Sequence, residues 1–517
     1  MKIDKVTDIE TDEISYELPN GWMLARIGKF IAQGGVFIDG DWVESKDQNP
    51  NGDVRLIQLA DIGDGVYRNK SQRFLTFDKA IELGCTFLEI GDVLIARMPD
   101  PLGRACIFPG DLKQSVTVVD VCIVRSGSKM INHRWLMYFI NSPEFRSKIA
   151  AMQSGSTRKR ISRGNLARLR LPLPPFAEQH CIVTKIEELF TKLDVGIESL
   201  KKVQAQLRQY RQAVLKSAVE GKLTAEWRAI HKDELEPASV LLEKIRKEKN
   251  KDSKYAGSLI DDDKQDTMPD LPDLPDGWVW AKTTDVCASV RDGTHDTPKY
   301  VSQGIPFITS KNLKEDGIDF DTAKYISIED HNKFSIRSGV ERDDILFAMI
   351  GTIGNPIVVK TGRIFSIKNV ALFKKNESVV RSLYLKYWFD SPSFRNIIEH
   401  GEFLRGTTQK FIPLENLRIL PVPTMAIIEQ DKIIEEIERR LSIADKAEFI
   451  INAELKRAER LRQSILKQAF SGKLVPQDPN DEPASVLLER IKHEKAKNDN
   501  QRKGQKSNDN TEQMKLL

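Results

Sequence analysis

Two acidic residues and a lysine near residue 100 have the spacing of a metal-dependent nuclease site. Asp100 is followed by Asp111 and Lys113, which fits the pattern in which two carboxylates hold Mg²⁺ and a lysine steadies the attacking water. The pattern is short, and a similar stretch further along the chain, residues 349–360, has no acid pair. A plain turn and strand is the competing interpretation. A free-standing Mg²⁺-dependent DNA nuclease using these three residues is therefore kept as the alternative function.

Other catalytic motifs are absent from the sequence. Each of the three Gly-Lys pairs lacks the Ser or Thr that completes a phosphate-binding loop, so we do not expect this chain to hydrolyse ATP. The segment LPPF at 173–176 differs from the amino-methyltransferase motif, because Leu173 cannot accept a hydrogen bond from a target amino group. The seven histidines are scattered, with no cluster typical of a metal site. We predict neither a catalytic residue nor a metal ligand.

Two stretches carry side chains suited to nucleic acid, SGSTRKRISRG at 154–164 and RGTTQKF at 405–411. Arg and Gln can form paired hydrogen bonds with guanine and adenine edges, whereas Lys, Ser and Thr suit phosphates. A solvated basic loop is the alternative for either stretch. The predicted DNA-contacting residues here are Arg158, Lys159, Arg160, Arg163, Arg405, Thr408, Gln409 and Lys410.

A third stretch, RDGTHDTPKY at 291–300, is rich in turn-forming and polar residues. It has no clear match at 34–50, where GGVFIDGDWVESKDQNP stands instead. The predicted DNA contacts in and around such loops are Arg291, Thr294, His295 and Lys299, together with Arg97, Arg104, Lys311 and Asn312.

The elements that must position these residues occur twice along the chain. LPNGW at 18–22 returns as LPDGW at 274–278, RQAVLKSAVEGKL at 211–223 as RQSILKQAFSGKL at 462–474, and EPASVLLEKI at 236–245 as EPASVLLERI at 482–491. The start-to-start offsets are 256, 251 and 246, so each copy is a whole domain plus a helical segment. Frames that match while the intervening loops diverge are expected if each half reads a different sequence from one scaffold.

A long amphipathic helix is predicted in each half. Apolar residues recur every three or four positions from Ile182 to Val214, and again from Ile437 to Ile465. A helix over about 178–217 would be roughly 60 Å long, and one small domain cannot bury so long a stripe. Pairing of the two helices as an antiparallel coiled coil is the simplest solution. Gly221 and Gly472 stand where these helices are expected to end.

The rest of each half predicts mixed α and β structure. Strands are expected at 54–59, 92–97 and 116–124, and at 305–310 and 343–350, with helices near 134–152 and 384–401 and proline-containing strands at 169–175 and 417–423. The predicted fold class is α+β, with two similar mixed α/β domains separated by two long helices and related by a pseudo-twofold axis. The predicted boundaries are a polar lead at 1–17, a first domain at 18–175, a central helical region at 176–250, a linker at 251–273, a second domain at 274–423, a C-terminal helical region at 424–498 and a disordered tail at 499–517.

Bulk composition excludes few functions. The net charge of +4 comes from 79 basic against 75 acidic residues, so any basic surface must be local. Five cysteines without a C-x-x-C pair favour a reducing compartment. The N-terminus lacks the apolar segment of a secretory signal, and no apolar run approaches the ~20 residues that cross a bilayer. We expect a cytoplasmic protein without a membrane partner.

The motifs together resemble the specificity subunits of type I restriction–modification systems. The resemblance covers nearly the whole chain and rests on the P-x-G-W opening, GDVLIAR at 91–97, the L-P-x-P…A-E-Q helix entry at 171–179 and the R-Q-A-V-L-x-x-A-x-x-G-K-L segment, all repeated in order. It implies two target-recognition domains, each binding one half of a bipartite target in double-stranded DNA. A coiled-coil scaffold with no role at DNA is a third hypothesis.

The resemblance also implies partners. It predicts assembly with two DNA adenine methyltransferase subunits and, in the larger complex, with two restriction subunits that use ATP to translocate and cut. The chain itself would have no catalytic role and no cofactor, because S-adenosylmethionine, ATP and Mg²⁺ would belong to those partners. It would position them so that an adenine in each half-site can be flipped out and methylated.

Overall fold

The computed structural model describes residues 18–32, 34–99, 101–155, 158–251 and 271–494. The predicted lead at 1–17, the predicted tail at 499–517 and all but a few residues of the predicted linker at 251–273 lie outside the described residues. The chain divides into two compact units. Unit 1 comprises residues 1–200 and 453–517, and unit 2 comprises residues 201–452.

The described residues of the first domain, at the start of unit 1, form nine short strands and four helices. In chain order the strands are β1 (Met23–Arg26), β2 (Val36–Asp39), β3 (Val54–Ile57), β4 (Phe74–Leu75), β5 (Val93–Ala96), β6 (Ala105–Ile107), β7 (Ser115–Thr117), β8 (Val121–Arg125) and β9 (Arg170–Leu173), and the helices are α1 (Phe77–Glu82), α2 (His133–Ile140), α3 (Pro143–Ala151) and α4 (Arg163–Arg168). They form sheets of order β2-β8-β5-β6, β4-β3-β7 and β1-β9.

Helices then lead into the second domain. The helices are α5 (Phe176–Val219), α6 (Ala225–Ile230), α7 (Ala238–Lys251), α8 (Thr283–Val286), α9 (Ile328–Ser338), α10 (Ser382–Asp390), α11 (Pro392–His400), α12 (Leu414–Arg418) and α13 (Ile427–Phe470), followed by a last helical segment at 484–494. The strands are β10 (Val279–Lys282), β11 (Ser289–Asp292), β12 (Ile305–Thr309), β13 (Leu313–Lys314), β14 (Gly317–Ile318), β15 (Lys324–Ile326), β16 (Ile345–Ala348), β17 (Gly354–Val358), β18 (Ser366–Lys368), β19 (Val370–Lys374) and β20 (Pro421–Thr424). Single 3-10 turns occur at Ile27–Lys29, Ser45–Asp47, Leu59–Asp61, Lys232–Glu234 and Ser310–Asn312.

The two domains share one topology. The sheets of order β11-β19-β16-β17, β15-β12-β18 and β10-β20 in unit 2 reproduce those of unit 1 strand for strand. In both domains the three-stranded sheet contains one parallel pair, β3 with β7 in the first domain and β12 with β18 in the second, and the other strand pairs are antiparallel. Unit 2 adds the short β13-β14 hairpin. The predicted mixed α and β structure is confirmed.

Four predicted elements have different bounds in the structure. The expected strand at 116–124 is two strands, β7 and β8, with a turn between them. The expected helices at 134–152 and 384–401 are each two helices, because Ser142-Pro143 and Ser391-Pro392 start a new helix: each serine caps the nitrogen of the residue three positions on, at 3.3 and 3.1 Å. At 417–423, α12 still occupies the first residues, and the strand begins only at Pro421.

Each unit fills its core from both repeats. In unit 1, Phe470 of α13 packs on Trp135 and Phe139 of α2, with ring centroids 6.3 and 5.0 Å apart. In unit 2, Val214 and Ala218 of α5 belong to the core cluster that contains the second domain. The apolar stripe of each long helix is therefore shared by the two units rather than buried by the domain that precedes it.

A buried glutamate near the start of each long helix accepts a hydrogen bond from the tryptophan that precedes the first strand of the domain. Trp22 Nε1 donates to Glu178 Oε2 at 2.7 Å, and Trp278 Nε1 donates to Glu429 Oε2 at 2.9 Å. The tryptophans come from the two P-x-G-W motifs, so these motifs anchor each domain to its own long helix.

The helical segments after the long helices return to the opposite repeat. The Ala484 N–H donates to the Gly21 carbonyl at 2.8 Å in unit 1, and the Ala238 N–H donates to the Gly277 carbonyl at 3.0 Å in unit 2. Gly472, which follows α13, has φ of +69°, and a Cβ there would lie 2.2 Å from Pro19 Cγ. A side chain at this position would thus prevent the approach of the chain to the opening motif.

The long helices contact each other in antiparallel fashion within each unit. Arg211 of α5 forms ion pairs with Asp445 and Glu448 of α13 at 2.5 and 2.7 Å in unit 2. In unit 1, Asp194 of α5 pairs with Arg462 of α13. These are equivalent contacts, because 211 and 462, like 194 and 445, differ by 251. The predicted fold class and helix pairing are confirmed. Within the described ranges, no helix is both long enough and apolar enough to cross a membrane.

Candidate nucleic-acid interface

Two basic loops have the same backbone construction in the two domains. In loop 1 (residues 154–163) the backbones of Ser154 and Arg160 exchange two hydrogen bonds of 2.8 Å. In loop 2 (residues 405–414) Arg405 and Phe411 exchange two of 2.9 Å. Both pairs are six residues apart, and their numbers differ by 251. The two loops are therefore structural equivalents.

A glycine in each loop permits the tight turn. Gly155 has φ of +100° and Gly406 has φ of +87°. A Cβ on Gly155 would lie 2.3 Å from the Arg158 carbonyl oxygen, and one on Gly406 would lie 2.4 Å from the Gln409 carbonyl oxygen. Side chains are excluded at both positions by the conformation and by the closing backbone.

The end of a central strand holds each loop in place. In loop 1 the Ile161 N–H donates to the Arg97 carbonyl at 3.1 Å, and in loop 2 the Ile412 N–H donates to the Met349 carbonyl at 2.9 Å. The Arg97 side chain is only 11% exposed, donates from Nε to the Ile161 carbonyl at 3.2 Å and pairs with Asp39. Arg97 thus supports loop 1 from beneath.

The predicted contact residues of both loops are exposed. Arg158, Lys159, Arg160 and Arg163 in loop 1, and Arg405, Thr408, Gln409 and Lys410 in loop 2, all project from the surface. Arg163 makes one long contact, with the Phe37 carbonyl at 3.5 Å. Basic side chains held out by an anchored backbone are suited to binding phosphates and base edges.

The third predicted stretch forms loop 3 (residues 292–299). Asp292 is almost fully buried and accepts from Arg337 and from His295 Nε2, the latter at 2.9 Å. His295 Nδ1 lies 2.7 Å from Asn369 Oδ1, so both ring nitrogens are engaged. The Thr294 hydroxyl accepts from the Asp296 N–H at 3.1 Å, and Lys299 is exposed.

A cleft of about 260 Å³ opens beside loop 3. It is lined by Arg291, Asp292, Arg337, Leu414 and Arg418, and the Arg291 guanidinium donates to the Arg337 carbonyl at 2.8 Å. Three guanidinium groups around one carboxylate leave the cleft with net positive charge. Such a cleft next to loop 2 suits an anionic group of DNA.

The expectation that loop 3 has no match in the first half is wrong at the level of the backbone. Loop 4 (residues 39–46) begins with the same Asp-Gly pair at the end of a strand. The Gly40 N–H donates to Val121 at 2.7 Å, and the Gly293 N–H donates to Val370 at 2.9 Å. A Cβ on either glycine would lie 2.4 Å from a carbonyl oxygen of the neighbouring strand. The two loops share only the Asp-Gly pair in sequence, which is too short a match to indicate that their backbones are equivalent.

Loop 4 presents a residue that sequence reasoning did not select. Trp42 follows Asp41 as His295 follows Thr294, and it is 71% exposed. Asp41 is tied down, because its carboxylate accepts from the Thr86 N–H at 2.9 Å. Burial raises the pKa of the Asp41 carboxyl, and the Thr86 hydrogen bond opposes this rise.

Three other predicted contacts differ in their surroundings. Arg104 is 4% exposed and donates to the Ile62 and Leu59 carbonyls at 2.7 and 2.8 Å, so its guanidinium holds loops together inside the domain and cannot reach DNA. Asn312 is 5% exposed; it accepts from the Thr309 N–H at 3.0 Å and is enclosed in its own turn. The neighbouring Lys311 is exposed. Arg104 and Asn312 are therefore not retained as DNA contacts.

The residues of the nuclease alternative have other partners. Asp111 forms an ion pair with Arg55 at 2.6 Å, and Lys113 donates to the Gly52 carbonyl at 2.7 Å. Asp100 lies outside the described residues. Among the residues that the structure describes, no group of three or more His, Cys, Asp and Glu side chains could hold a metal ion.

Comparison with known proteins finds relatives of this chain among type I restriction enzyme specificity subunits. A family model for the type I restriction modification DNA specificity domain matches residues 20–207. The EcoBI specificity subunit of Escherichia coli is 28% identical over 76% of this chain and 77% of its own length, and the EcoKI specificity subunit of strain K12 is 24% identical over 72% and 74%.

Two solved structures share the fold. A chain from a structure of a type I restriction–modification system, solved to explain complex assembly and conformational transition, superposes with a TM-score of 0.62 at 18% identity, covering 89% of this chain and all of that one. The HsdS subunit of Thermoanaerobacter tengcongensis gives 0.51 at 17% identity, covering 89% and 99%. None of these relatives supports the nuclease alternative. In its duplicated domains, paired helices and repeated basic loops, as in the family match over residues 20–207, the chain is similar to the specificity subunits of type I restriction–modification systems.

Proposed function

We propose that this protein reads a bipartite sequence in double-stranded DNA for a type I restriction–modification complex and performs no covalent chemistry itself. Residues 18–175 and 274–423 would be the two target-recognition domains, each binding one half-site. The observation that carries this proposal is the pair of equivalent loops, loop 1 and loop 2, which are closed by the same backbone hydrogen bonds and differ in the side chains that their described residues expose.

The difference between the loops supports reading of two distinct half-sites. At equivalent positions loop 1 has Lys159 and Arg160 where loop 2 has Lys410 and Phe411. In the sequence, Gln409 of loop 2 aligns with Arg158 of loop 1. Because Arg favours guanine and Gln favours adenine in paired hydrogen bonds, the two domains are expected to prefer different bases.

The long helices are proposed to fix the spacing of the half-sites and to bind the partner subunits. Ile443 and Ile450 of α13 lie two turns apart on one face of the helix and are 57% and 60% exposed, and Phe449 on the adjoining face is 76% exposed. An apolar helical surface of this kind is suited to an amphipathic helix of another subunit. We assign it to a DNA adenine methyltransferase subunit, two of which are expected in the complex.

Restriction subunits and small-molecule cofactors complete the proposal. Two restriction subunits would join the larger complex, and S-adenosylmethionine, ATP and Mg²⁺ would be bound by the partners. A cytoplasmic location remains a prediction.

Sequencing of methylated adenines tests the function directly. The chain is expressed with its methyltransferase in cells that lack other DNA methylation, and we expect one bipartite motif with an unread spacer. Arg158→Ala and Lys410→Ala should each weaken DNA binding by about 1–3 kcal/mol if the side chain reads a base edge. Lys222→Ala, at a lysine that pairs with Glu220 away from the loops, is the matched control. Methylation without sequence preference, or both loop variants indistinguishable from the control, would contradict the proposal.

A further inference from the structure

We propose that Trp42 packs its indole ring on a base of the first half-site and helps to determine which sequence that half reads. The inference rests on the proposed function and adds a recognition residue in the first domain, outside loop 1. It comes from three independent features: the exposure of the ring, the rigidity of its support and its equivalence to His295.

The exposure of Trp42 is unusual for its residue type. Tryptophan is highly buried on average in folded proteins, yet this side chain is 71% exposed. Its one polar atom, Nε1, is directed along the surface toward Glu44 Oε1, at 3.4 Å. Most of a large apolar ring therefore remains open to a partner.

The backbone beneath the ring is firmly held. The Asp41 N–H donates to the Thr117 carbonyl at 2.8 Å, and Val43 on the other side packs against the core cluster of the β4-β3-β7 sheet. Gly40 allows the close approach of the neighbouring strand. An aromatic side chain on such a support loses little conformational entropy when it binds, because only two side-chain torsions remain to be fixed.

The second domain presents an aromatic ring at the equivalent place. His295 follows the Asp-Gly pair of loop 3 as Trp42 follows that of loop 4, and its side chain is 59% exposed. Asp292 and Asn369 occupy the two ring nitrogens of His295. What remains for a partner is the face of the ring, as it is for Trp42. Each domain thus offers one ring of different size at the same position of the same frame.

A base is the group of DNA that such a ring fits. Phosphates and sugars require hydrogen-bond donors or charge, and the indole edge is already directed at Glu44. In a duplex the apolar face of a base becomes accessible where an inserted side chain partly unstacks a base step. Contacts of this kind between bases and aromatic rings contribute substantially to affinity for single strands. Indole covers more of a base than imidazole does, so the two domains would differ in preference.

The test measures binding of the complex with its methyltransferase to duplexes altered in one half-site at a time. Trp42→Ala should lower affinity for the cognate duplex about tenfold and reduce discrimination in the first half-site only, whereas Trp42→Phe should retain most of both. His295→Ala should have the corresponding effect on the second half-site. Leu112→Ala removes a fully exposed apolar side chain of the same unit from an unrelated turn and should change neither.

The outcomes separate the two proposals. If the unaltered chain discriminates in both half-sites but Trp42→Ala stays within twofold of it, the role of Trp42 is refuted and the function stands. An equal loss at cognate and unrelated duplexes also refutes the role, because it shows general rather than base-specific binding. If the unaltered chain shows no preference in either half-site, the proposed function fails and the inference with it.

Discussion

The two buried glutamates of the long helices provide a comparison within a single chain. Glu429 of unit 2 accepts from Trp278, from the Thr224 hydroxyl at 2.8 Å and from Arg228 in an ion pair of 2.6 Å. Glu178 of unit 1 accepts from Trp22, and in the part of the chain that the structure describes it forms no ion pair with an arginine. Replacing each by glutamine should therefore have very different effects on its own unit.

The expected cost is large for Glu429→Gln. The substitution leaves the Arg228 guanidinium, with 16% of its side chain exposed, without a counter-charge. Breaking a buried ion pair by removing one partner costs about 3–5 kcal/mol, and the partial exposure of Arg228 favours the lower end, about 3 kcal/mol. Such a loss lowers the protection of unit 2 amides from hydrogen exchange by roughly a hundredfold.

The expected cost is small for Glu178→Gln, and it depends on pH. Burial raises the pKa of the Glu178 carboxyl, Asp481 adds to the rise, and the hydrogen bond from Trp22 opposes it. A raised folded-state pKa means that this group's stabilisation is fully present below the ordinary glutamate pKa of about 4.3 and is lost as the pH rises through the folded-state value. Glutamine retains the acceptor for Trp22 without the charge. The variant should lie within about 1 kcal/mol of wild type at pH 7 and lose less stability as the pH rises.

Hydrogen–deuterium exchange resolves the two units, which a single melting curve does not. Peptides covering β10 and the C-terminal end of α5 report on unit 2, and those covering β1 and the C-terminal end of α13 report on unit 1. Equal loss of protection in the two variants, or a greater loss for Glu178→Gln, would refute the reasoning that the ion pair distinguishes the sites.

Three further perturbations follow from the structure. Gly155→Ala and Gly406→Ala each place a Cβ against a carbonyl oxygen in a left-handed backbone, at a cost of roughly 1–2 kcal/mol in folding free energy. Each substitution should weaken binding to the half-site of its own domain and leave binding to the other half-site unchanged. Titration with duplexes altered in one half-site measures this. Lengthening α5 and α13 together by one helical turn should change the spacer of the methylated motif and leave its half-site sequences intact, and an altered half-site on methylation sequencing would speak against modular reading. Alkylation of the native protein should modify Cys181 first, because Cys181 is exposed whereas Cys106 and Cys122 are buried. Burial also raises the pKa of the Cys106 thiol to about 12, which lowers its reactivity. Peptide mass mapping after a short exposure to the reagent tests this order.

Much of the fold could be predicted because its signals are local and repeated. The long helices follow from apolar residues at steps of three and four, and α5 exceeds the expected 178–217 by only two residues at each end. The alignment of loop 1 with loop 2 at an offset of 251 follows from repeated sequence and matches the paired backbone bonds. The two Ser-Pro pairs are typical of a helix N-terminus, so the division of the helices at these positions is also indicated by the sequence.

What could not be predicted depends on contacts between distant residues. The Arg104 side chain looks available in the sequence, but the carbonyls that engage it come from residues some 40 positions earlier. Likewise, nothing local indicates that the segment after α5 packs in unit 2 while its repeat after α13 packs in unit 1. Exposure of a tryptophan is equally invisible to a pattern of residue types, which is why Trp42 was missed.

The way the loops are attached explains how one scaffold can serve different DNA sequences. Loops 1 and 2 are held by backbone hydrogen bonds and by glycines, and loops 3 and 4 begin on the same Asp-Gly frame. The fold therefore makes no demand on the exposed side chains, which can change without loss of a buried contact. Stability is supplied elsewhere, by the paired helices and the tryptophan–glutamate contacts. Because each domain has its own complete set of these supports, a substitution in the loops of one half should alter one half-site and leave the reading of the other unchanged.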